Sequence, residues 1–256
     1  TKRWTIIPPD AKLIHVDIDP EEIGKIYVPE VGLNGDAEAA LRLMNEMANA
    51  RAPANPNVRA QRAARLHSLR EAYAEQTRMP ASAPSPRVPS QAVIEALQHV
   101  LDRHAGVIVQ DAASFGVWMH RYLTFDRPGT FYAAAGGSLG WGLPAAMGIK
   151  LARPNDCIIN VAGDGAFWMV AQDLETAVRE RIPVVNVVVN NFSYGNTRDR
   201  QKSAHRGRYL GVFYQNPDFA AFGRLLGAYG ERVERSEDVL PAIERAIASG
   251  KPAVVD

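Results

Sequence analysis

Three short polar segments in the C-terminal half of this sequence are the best candidates for chemistry. Gly163-Asp164-Gly165 directly follows a strand predicted over residues 157–162, and Asn190-Asn191 directly follows a predominantly β-branched, apolar strand predicted over residues 183–189. A third segment, Asp111 to Ser114, follows another predicted strand. In open α/β sheets the carboxyl ends of parallel strands share one edge, and ligands bind there. We therefore expect the three segments to meet at one site.

The residue types in these segments favour binding of a phosphate through a divalent cation. Glycines on both sides of Asp164 allow a sharp turn, and a helix predicted over residues 166–180 would add free N–H groups. The Asp164 carboxylate would repel a phosphate unless a cation lay between them, and Mg²⁺ prefers such oxygen ligands. Asn191 can supply an amide oxygen and Ser193 a backbone carbonyl. An isolated Gly-Asp-Gly is more often a surface turn, but the paired strand ends favour the metal site.

Helices and buried strands alternate along the chain from Ser90 onward. Ser90 is predicted to cap a helix over residues 91–103, and apolar strands and helical segments follow in turn. Strands that are apolar on both faces need helices on both sides of the sheet. The C-terminal part is therefore predicted to be an α/β fold, with a parallel sheet flanked by helices.

The first 50 residues predict a small α/β unit with too few strands for a complete sheet. Strands are predicted over residues 12–18 and 27–31, and Asp36 is expected to cap a helix that ends before residue 50. A long helix and a proline-rich linker are predicted next. These patterns divide the chain into residues 1–50, 51–89 and 90–256. Its abrupt start and end predict a piece of a longer polypeptide, or one partner of a split enzyme.

Composition excludes several classes of protein. The chain has 29 basic and 28 acidic residues and a net charge of +1, so charge gives no reason to expect nucleic acid or an anionic membrane as partner. No apolar run approaches the ~20 residues needed to cross a bilayer. Cys157, the one cysteine, cannot form an internal disulfide, which predicts a reducing, cytoplasmic location.

The spacing of these segments resembles that of a known family. Gly163-Asp164-Gly165, followed by 24 residues and then Asn190-Asn191, resembles the diphosphate–magnesium signature of thiamine diphosphate enzymes. The segment from Gly136 to Ala146 resembles the one that holds the pyrimidine of the cofactor in the acetohydroxyacid synthase and sulfoacetaldehyde acetyltransferase branch. Residues 11–41 resemble the end of the middle domain of that group. The resemblance implies a thiamine diphosphate-binding domain over residues 90–256, preceded by the remnant of a central α/β domain.

The resemblance also implies roles for individual residues. Mg²⁺ would be bound by Asp164, the Asn191 side chain and the Ser193 carbonyl. Leu139 would hold the cofactor in its bent shape, and the Gly137 carbonyl would accept a hydrogen bond from the pyrimidine; the alternative for Leu139 is simple core packing. The full implied cofactor-binding set is Ala113, Ser114, Gly137, Ser138, Leu139, Gly163, Asp164, Gly165, Ala166, Asn191, Ser193, Tyr194 and Gly195.

The implied reaction is decarboxylation or carboligation of a 2-oxo acid or a related anionic substrate. In this family a Glu from the N-terminal domain of a second subunit activates the cofactor, and no Glu here lies in a matching context. The resemblance therefore implies a homo-oligomer, no catalytic residue in this chain and no activity of the chain alone. FAD is neither predicted nor excluded, because it would bind outside these residues.

The segment after Asn191 departs from the acetohydroxyacid synthases. Arg200 stands where they carry a Trp, and Asn196 stands near the position of a Met, which argues against acetolactate synthesis. Several basic residues follow, and Arg200 or His205 is a candidate for binding an anionic substrate. The alternative, an exposed basic loop, is the more common meaning of such a segment.

Two other functions fit parts of the sequence. A non-catalytic cofactor-binding or regulatory module would keep the same diphosphate site. An NAD(P)-dependent oxidoreductase would use Gly140-Trp141-Gly142-Leu143-Pro144-Ala145 as a dinucleotide fingerprint, but Pro144 interrupts that motif.

Overall fold

A computed structural model describes residues 6–51, 55–81 and 87–256 of the chain. These residues form two compact units, which divide between Tyr73 and Ala74. The division falls within the predicted linking segment, and the three-part domain assignment stays a prediction. Residues 82–86 of the predicted proline-rich linker lie outside the described residues.

The first unit contains a pair of parallel strands and a capped helix. Strand β1 (Ile14–Asp17) pairs with β2 (Val31–Asn34), and helix α1 (Ala37–Asn49) follows. The Asp36 carboxylate accepts a hydrogen bond from the Ala39 N–H at 2.9 Å, which confirms the predicted cap.

The second strand of this unit was predicted four residues too early, over residues 27–31. Pro29 has no N–H to donate to a strand ladder, and the Glu30 and Val31 N–H groups are the ones that bond to the Leu13 carbonyl. Pairing therefore begins after the proline. Helix α2 (Pro56–Gln76) follows, and its first residue is a proline, which suits the first position of a helix.

The second unit is built on a six-stranded sheet in which all strands are parallel. This arrangement, with helices around it, confirms the predicted fold class. The strand order is β4-β3-β5-β6-β8-β7. The strands are β3 (Gly106–Gln110), β4 (Phe131–Ala133), β5 (Cys157–Gly163), β6 (Val185–Val189), β7 (Tyr229–Glu231) and β8 (Ala253–Val255).

Helices cover both faces of this sheet, and a separate apolar cluster fills each face. On one face Ile108 and Val187 pack with residues of α3 and α10; on the other, Val109 and Val188 pack with residues of α5, α7 and α9. Burial on both faces explains why the central strands are mostly apolar and do not alternate polar and apolar residues; Asn160 and Asn186 are the polar exceptions. The helices of this unit are α3 (Ser90–Arg103), α4 (Gly116–Tyr122), α5 (Gly142–Ala152), α6 (Asp164–Trp168), α7 (Asp173–Arg179), α8 (Gly195–Ala204), α9 (Phe219–Leu225) and α10 (Val239–Ala248). Within the described ranges, no helix combines the length and apolar character that a membrane span requires.

Two buried asparagines cross the middle of the sheet. The Asn160 amide donates to Asn186 Oδ1 at 2.9 Å, and the Asn186 amide donates to the Ala253 carbonyl at 3.1 Å. Asn160 and Asn186 are fully buried and directly opposite each other on β5 and β6. Because an unpaired buried amide is costly, this chain of bonds favours one register of the three strands.

Two helix predictions for this unit were wrong in detail. Ser90 is the first residue of α3, after Pro89, so it does not cap the helix. The helix predicted over residues 166–180 is two short helices, α6 and α7, joined by turns with i→i−3 hydrogen bonds at Met169 and Val170. Phe167 and Leu174 still bury in the same cluster, so the apolar periodicity was right although the helix is interrupted.

The basic segment that was predicted as a loop after Asn191 contains helix α8 instead. Its mean hydropathy is low and only Gly195 is buried, so no apolar face announces the helix in the sequence.

Cys157 gives a test of the packing at the start of β5. Burial raises the pKa of its thiol to about 11, so very little reactive thiolate is present at pH 8. We expect iodoacetamide to alkylate Cys157 at pH 8 about 100-fold more slowly in the folded chain than in the urea-unfolded chain. Mass spectrometry of timed samples measures both rates, and equal rates would contradict the described packing.

Candidate functional site

A pocket lies at the carboxyl ends of three adjacent strands, β3, β5 and β6. Gly163, the last residue of β5, pairs with Val189, the last residue of β6, so Asp164 and Asn190 leave the sheet side by side. Residues that follow β3 form the third wall. The lining residues are Ala112, Ala113, Ser114, Phe115, Leu139, Gly163, Asp164, Gly165, Ala166, Val189, Asn191, Ser193, Tyr194, Gly195 and Asn196.

Most of the cofactor-binding residues implied by the sequence lie in this pocket. Eleven of those 13 residues line it, and Gly137 and Ser138 are the two that do not. These two belong to the exposed segment that leads to Leu139. The structure therefore brings together the predicted metal ligands and diphosphate-binding residues.

Asp164 is buried at the base of this pocket and held on both oxygens. Its side chain is at the start of α6, where Oδ1 lies 3.0 Å from the Gly165 nitrogen. Oδ2 accepts a hydrogen bond from the Asn216 amide at 2.8 Å. The buried Tyr214 hydroxyl faces the same carboxylate: burial first, and then the negative charge of Asp164, raises the pKa of Tyr214.

Asn191 and Ser193 form a tight turn on the other side of the pocket. Asn191 Oδ1 accepts from the Ser193 N–H at 3.1 Å and from the Ser193 hydroxyl at 2.8 Å. Between them Phe192 has φ of 56°, in the left-handed region that a bulky residue rarely adopts. Backbone bonds from Tyr194 N–H and to the Phe192 carbonyl tie the turn to residues 212–214, and neither uses the Ser193 carbonyl.

Asp111 fixes the segment that carries Leu139. It is fully buried, and its carboxylate accepts hydrogen bonds from the N–H groups of Ala112, Gly140 and Gly142 at 2.7 to 3.0 Å. Burial raises the pKa of Asp111, and these backbone donors act in the opposite direction. Because Gly140 and Gly142 are both held, Leu139 stays at the rim of the pocket with 47% of its surface exposed.

The residues proposed for substrate binding lie away from the pocket. Arg200 and His205 are both exposed, and neither lines it. Arg198 is half-buried instead, and its Nη1 donates to the Ser193 hydroxyl at 3.0 Å. Residues two apart on a helix point about 200° from one another, so a helix that turns Arg198 toward the pocket turns Arg200 away. Sequence reasoning grouped all the basic residues because it treated this helix as a loop.

Sequence reasoning also missed Asn216 and Tyr214, which contact Asp164 from a segment about 50 residues further along the chain. The only local signal is that Asn216 and Pro217 precede Asp218, which caps α9 by accepting from the Ala221 N–H. Nothing in that motif indicates contact with Asp164.

The oxygen groups of the pocket that are predicted as metal ligands are one carboxylate, an amide oxygen and a backbone carbonyl. Among the described residues there is no group of three or more His, Cys, Asp or Glu side chains that could hold a metal ion. A site for Zn²⁺ or another transition metal is therefore not indicated there. A hard cation such as Mg²⁺ needs only one or two carboxylates when phosphate oxygens complete its shell.

Comparison with known proteins agrees with this arrangement. Residues 111–256 match the family described as "Thiamine pyrophosphate enzyme, C-terminal TPP binding domain". The chain is 32% identical to an acetolactate synthase large subunit of Corynebacterium glutamicum, over 97% of this chain and 40% of that protein. It is 30% identical to the acetolactate synthase isozyme 2 large subunit of Escherichia coli, over 98% of this chain and 44% of that protein.

A solved structure shares the fold. It is the thiamine diphosphate-dependent 4-hydroxybenzoylformate decarboxylase of Rhodococcus jostii, with a TM-score of 0.77 and 24% identity. The match covers 97% of this chain and 44% of that one, so the chain spans less than half the length of these relatives. The family match extends over more than half of the chain and includes Asp111 and every residue that lines the pocket. The chain therefore belongs to the thiamine pyrophosphate enzyme family and contains its C-terminal cofactor-binding domain.

Proposed function

We propose that the pocket binds Mg²⁺ and the diphosphate of thiamine diphosphate, and that the chain acts in decarboxylation or carboligation of 2-oxo acids. One observation carries this proposal: Asp164 and Asn191 follow adjacent parallel strands and line the same pocket. A carboxylate and an amide oxygen at the same edge of the sheet are suitable ligands for a cation that also binds phosphate oxygens.

The residues of the pocket fit a metal–diphosphate group. Its donors to a cation are all oxygens: the Asp164 carboxylate, the Asn191 amide and the Ser193 carbonyl. The first turn of α6 leaves the backbone N–H groups of Gly165 and Ala166 without helical partners, and both suit phosphate oxygens; the Gly165 N–H would share its hydrogen bond with Asp164 Oδ1. A helix of five residues adds little macrodipole, so the proposal rests on these N–H groups and on the cation.

There is no room for a side chain at Gly165, so the backbone itself faces this part of the pocket. A Cβ at Gly165 would lie 2.7 Å from the Tyr194 ring and 2.8 Å from the Tyr214 hydroxyl, closer than real Cβ atoms approach. Only glycine lets the chain pass between these two tyrosines and Asp164.

Within the proposed function the chain binds and orients the cofactor. When bound, thiamine diphosphate supplies the electron sink for carbanion chemistry at a carbonyl carbon. Asp164, Asn191 and Ser193 would bind the metal ion of the cofactor. The diphosphate would be bound by four residues: Ala113, Ser114, Gly165 and Ala166. The hydrogen bonds of Asp111 to Gly140 and Gly142 would keep Leu139 against the cofactor. In this proposal none of these residues is assigned a role in proton transfer.

Exposed apolar side chains near the pocket favour the presence of a partner domain. Leu139, Phe192, Tyr194, Tyr209 and Phe213 are each at least 38% exposed, and the Tyr209 and Phe213 rings contact each other. Several exposed large apolar side chains near a polar pocket are typical of an interaction site. We propose that it contacts the pyrimidine-binding N-terminal domain of a second subunit, which supplies the activating Glu, in a cytoplasmic homo-oligomer.

The substrate proposal follows the charge beside the pocket. Arg198 is the half-buried cation next to Ser193, and a 2-oxo acid or another anionic substrate would suit it better than the exposed Arg200. We do not extend acetolactate synthesis from the relatives to this chain, because Arg200 stands where the resemblance to the acetohydroxyacid synthases places a Trp.

The first prediction concerns the metal ligand. Asp164→Ala removes the only carboxylate of the site, and we expect it to weaken Mg²⁺-dependent binding of thiamine diphosphate by at least about 100-fold. Equilibrium dialysis with and without Mg²⁺ measures this, and Asp126→Ala, which changes an exposed aspartate, is the matched control. Binding that is unaffected by Asp164→Ala, or that needs no metal, would sink the proposed function.

The second prediction concerns the diphosphate contacts. Gly165→Ala forces the backbone away from Tyr194 and Tyr214, and we expect it to weaken thiamine diphosphate binding by about 10-fold or more. Gly148→Ala is the control, because a Cβ there has no heavy atom within 4 Å. The two variants should differ in the same dialysis assay; equal affinities would show that Gly165 does not contact the cofactor.

The third prediction concerns the missing glutamate. The chain alone should bind the cofactor yet release no CO₂ from pyruvate or larger 2-oxo acids. Addition of a pyrimidine-binding domain that carries the activating Glu should start CO₂ release, and a Glu→Gln change in that domain should abolish it. Rapid CO₂ release by the chain alone would contradict the proposal that the activating Glu comes from a second subunit. Cofactor binding without CO₂ release in the assembled pair would identify a non-catalytic module.

A further inference from the structure

Both polar atoms of the Asn216 side chain are hydrogen-bonded beside the pocket. Its Nδ2 donates to Asp164 Oδ2 at 2.8 Å and to Asn190 Oδ1 at 2.8 Å, and its Oδ1 accepts from Trp168 Nε1 at 3.0 Å. An amide group offers two N–H donors and one carbonyl, so every polar group of Asn216 is engaged.

The Trp168 contact determines which way the amide of Asn216 faces. An indole N–H only donates, so it can pair with Oδ1 and not with Nδ2. A flip of the Asn216 amide would place a donor against the Trp168 N–H and an oxygen against Asp164. The orientation with both N–H groups toward Asp164 and Asn190 is therefore the one that all three neighbours support.

Asn216 also connects the ends of three strands. Asp164 follows β5 and Asn190 follows β6, and Asn190 in turn donates to Asp256 Oδ1 at 3.0 Å at the end of β8. Asp256 Oδ2 accepts from the Phe219 N–H at the start of α9, three residues after Asn216. This closed network holds Asn216 from both sides, so that it is a fixed support for the Asp164 carboxylate.

We propose that Asn216 is a positioning residue for the metal site, which fixes the rotation of the Asp164 carboxylate so that it meets Mg²⁺ without rearrangement. This inference rests on the proposed function, because it requires Asp164 to be a metal ligand. Groups that hydrogen-bond to a metal ligand and set its orientation commonly change metal affinity by 10- to 100-fold. Asn216 itself touches neither the metal nor the substrate.

A purely structural role for Asn216 leads to a different result. If Asn216 only anchors the segment before α9, its loss would loosen the pocket and weaken thiamine diphosphate binding at every Mg²⁺ concentration. If it positions Asp164, the half-saturating Mg²⁺ concentration rises, whereas thiamine diphosphate binding at saturating Mg²⁺ changes little. The dependence on Mg²⁺ therefore separates the two roles.

The experiment compares five forms of the chain by equilibrium dialysis of thiamine diphosphate over a range of Mg²⁺ concentrations. They are the wild type, Asn216→Ala, Trp168→Phe, the exposed control Gln215→Ala and Asp164→Ala. Trp168→Phe removes the N–H that orients the Asn216 amide and leaves an aromatic ring to pack on Phe219. Circular dichroism at the assay temperature establishes that each form is folded.

We expect the half-saturating Mg²⁺ concentration to rise at least 10-fold in Asn216→Ala, to rise less in Trp168→Phe and to stay unchanged in Gln215→Ala. An Asn216→Ala chain that matches the control, while Asp164→Ala has lost binding, overturns the inference and leaves the proposed function intact. Equal weakening at all Mg²⁺ concentrations overturns it as well. If Asn216→Ala does not fold, Trp168→Phe decides alone, and an unchanged Mg²⁺ dependence there counts against the inference. Wild-type binding that does not depend on Asp164 refutes the proposed function itself.

Discussion

The register between β5 and β6 is the constraint on which the pocket depends. Gly163 pairs with Val189, so Asp164 and Asn190 leave the sheet side by side and Asn191 follows directly. A shift of one residue would also turn every side chain of a strand to the opposite face, away from the cluster in which it packs. The Asn160–Asn186 hydrogen bond in the middle of the same two strands adds a polar requirement to this apolar one. The polar residues at the ends of the strands are thus positioned by contacts in the middle of the same strands.

The two buried carboxylates near the pocket, Asp111 and Asp164, differ in their hydrogen-bond partners. Asp111 accepts only backbone N–H groups and holds the Leu139 segment in place. Asp164 meets one backbone N–H group, the Asn216 amide and the Tyr214 hydroxyl, and it lines the pocket. A buried negative charge is costly unless it is compensated. In Asp111 the protein compensates the charge itself, whereas Asp164 is placed where a cation can do so.

The sequence predicted the C-terminal fold and most of the pocket because these depend on local patterns. Mostly apolar strands without polar–apolar alternation indicate burial on both faces, and polar residues just after them indicate the edge where ligands bind. The errors arose where tertiary contacts decide. Strands β4 and β7 have three residues each at the sheet edges, too few for a periodic signal. The break between α6 and α7 does not disturb the apolar spacing, so no sequence pattern marks it. Asn216 reaches Asp164 across 52 positions of the chain, and a single sequence does not show such pairs.

Helix α8 differs from the other elements around the pocket in how little of it is committed to the core. Gly195, its first residue, is its only buried residue, and most of its other side chains are charges and amides that meet solvent. Substitutions at its exposed positions therefore leave the ends of β5 and β6 and the Asp111 contacts undisturbed, whereas Arg198 is bonded to Ser193 in the pocket. Such a division lets natural variation retune which molecules are accepted while the machinery that grips the vitamin-derived group is inherited intact. Divergence of substrate preference within the family has a physical route here, since new chemistry outside can evolve without a stability cost inside.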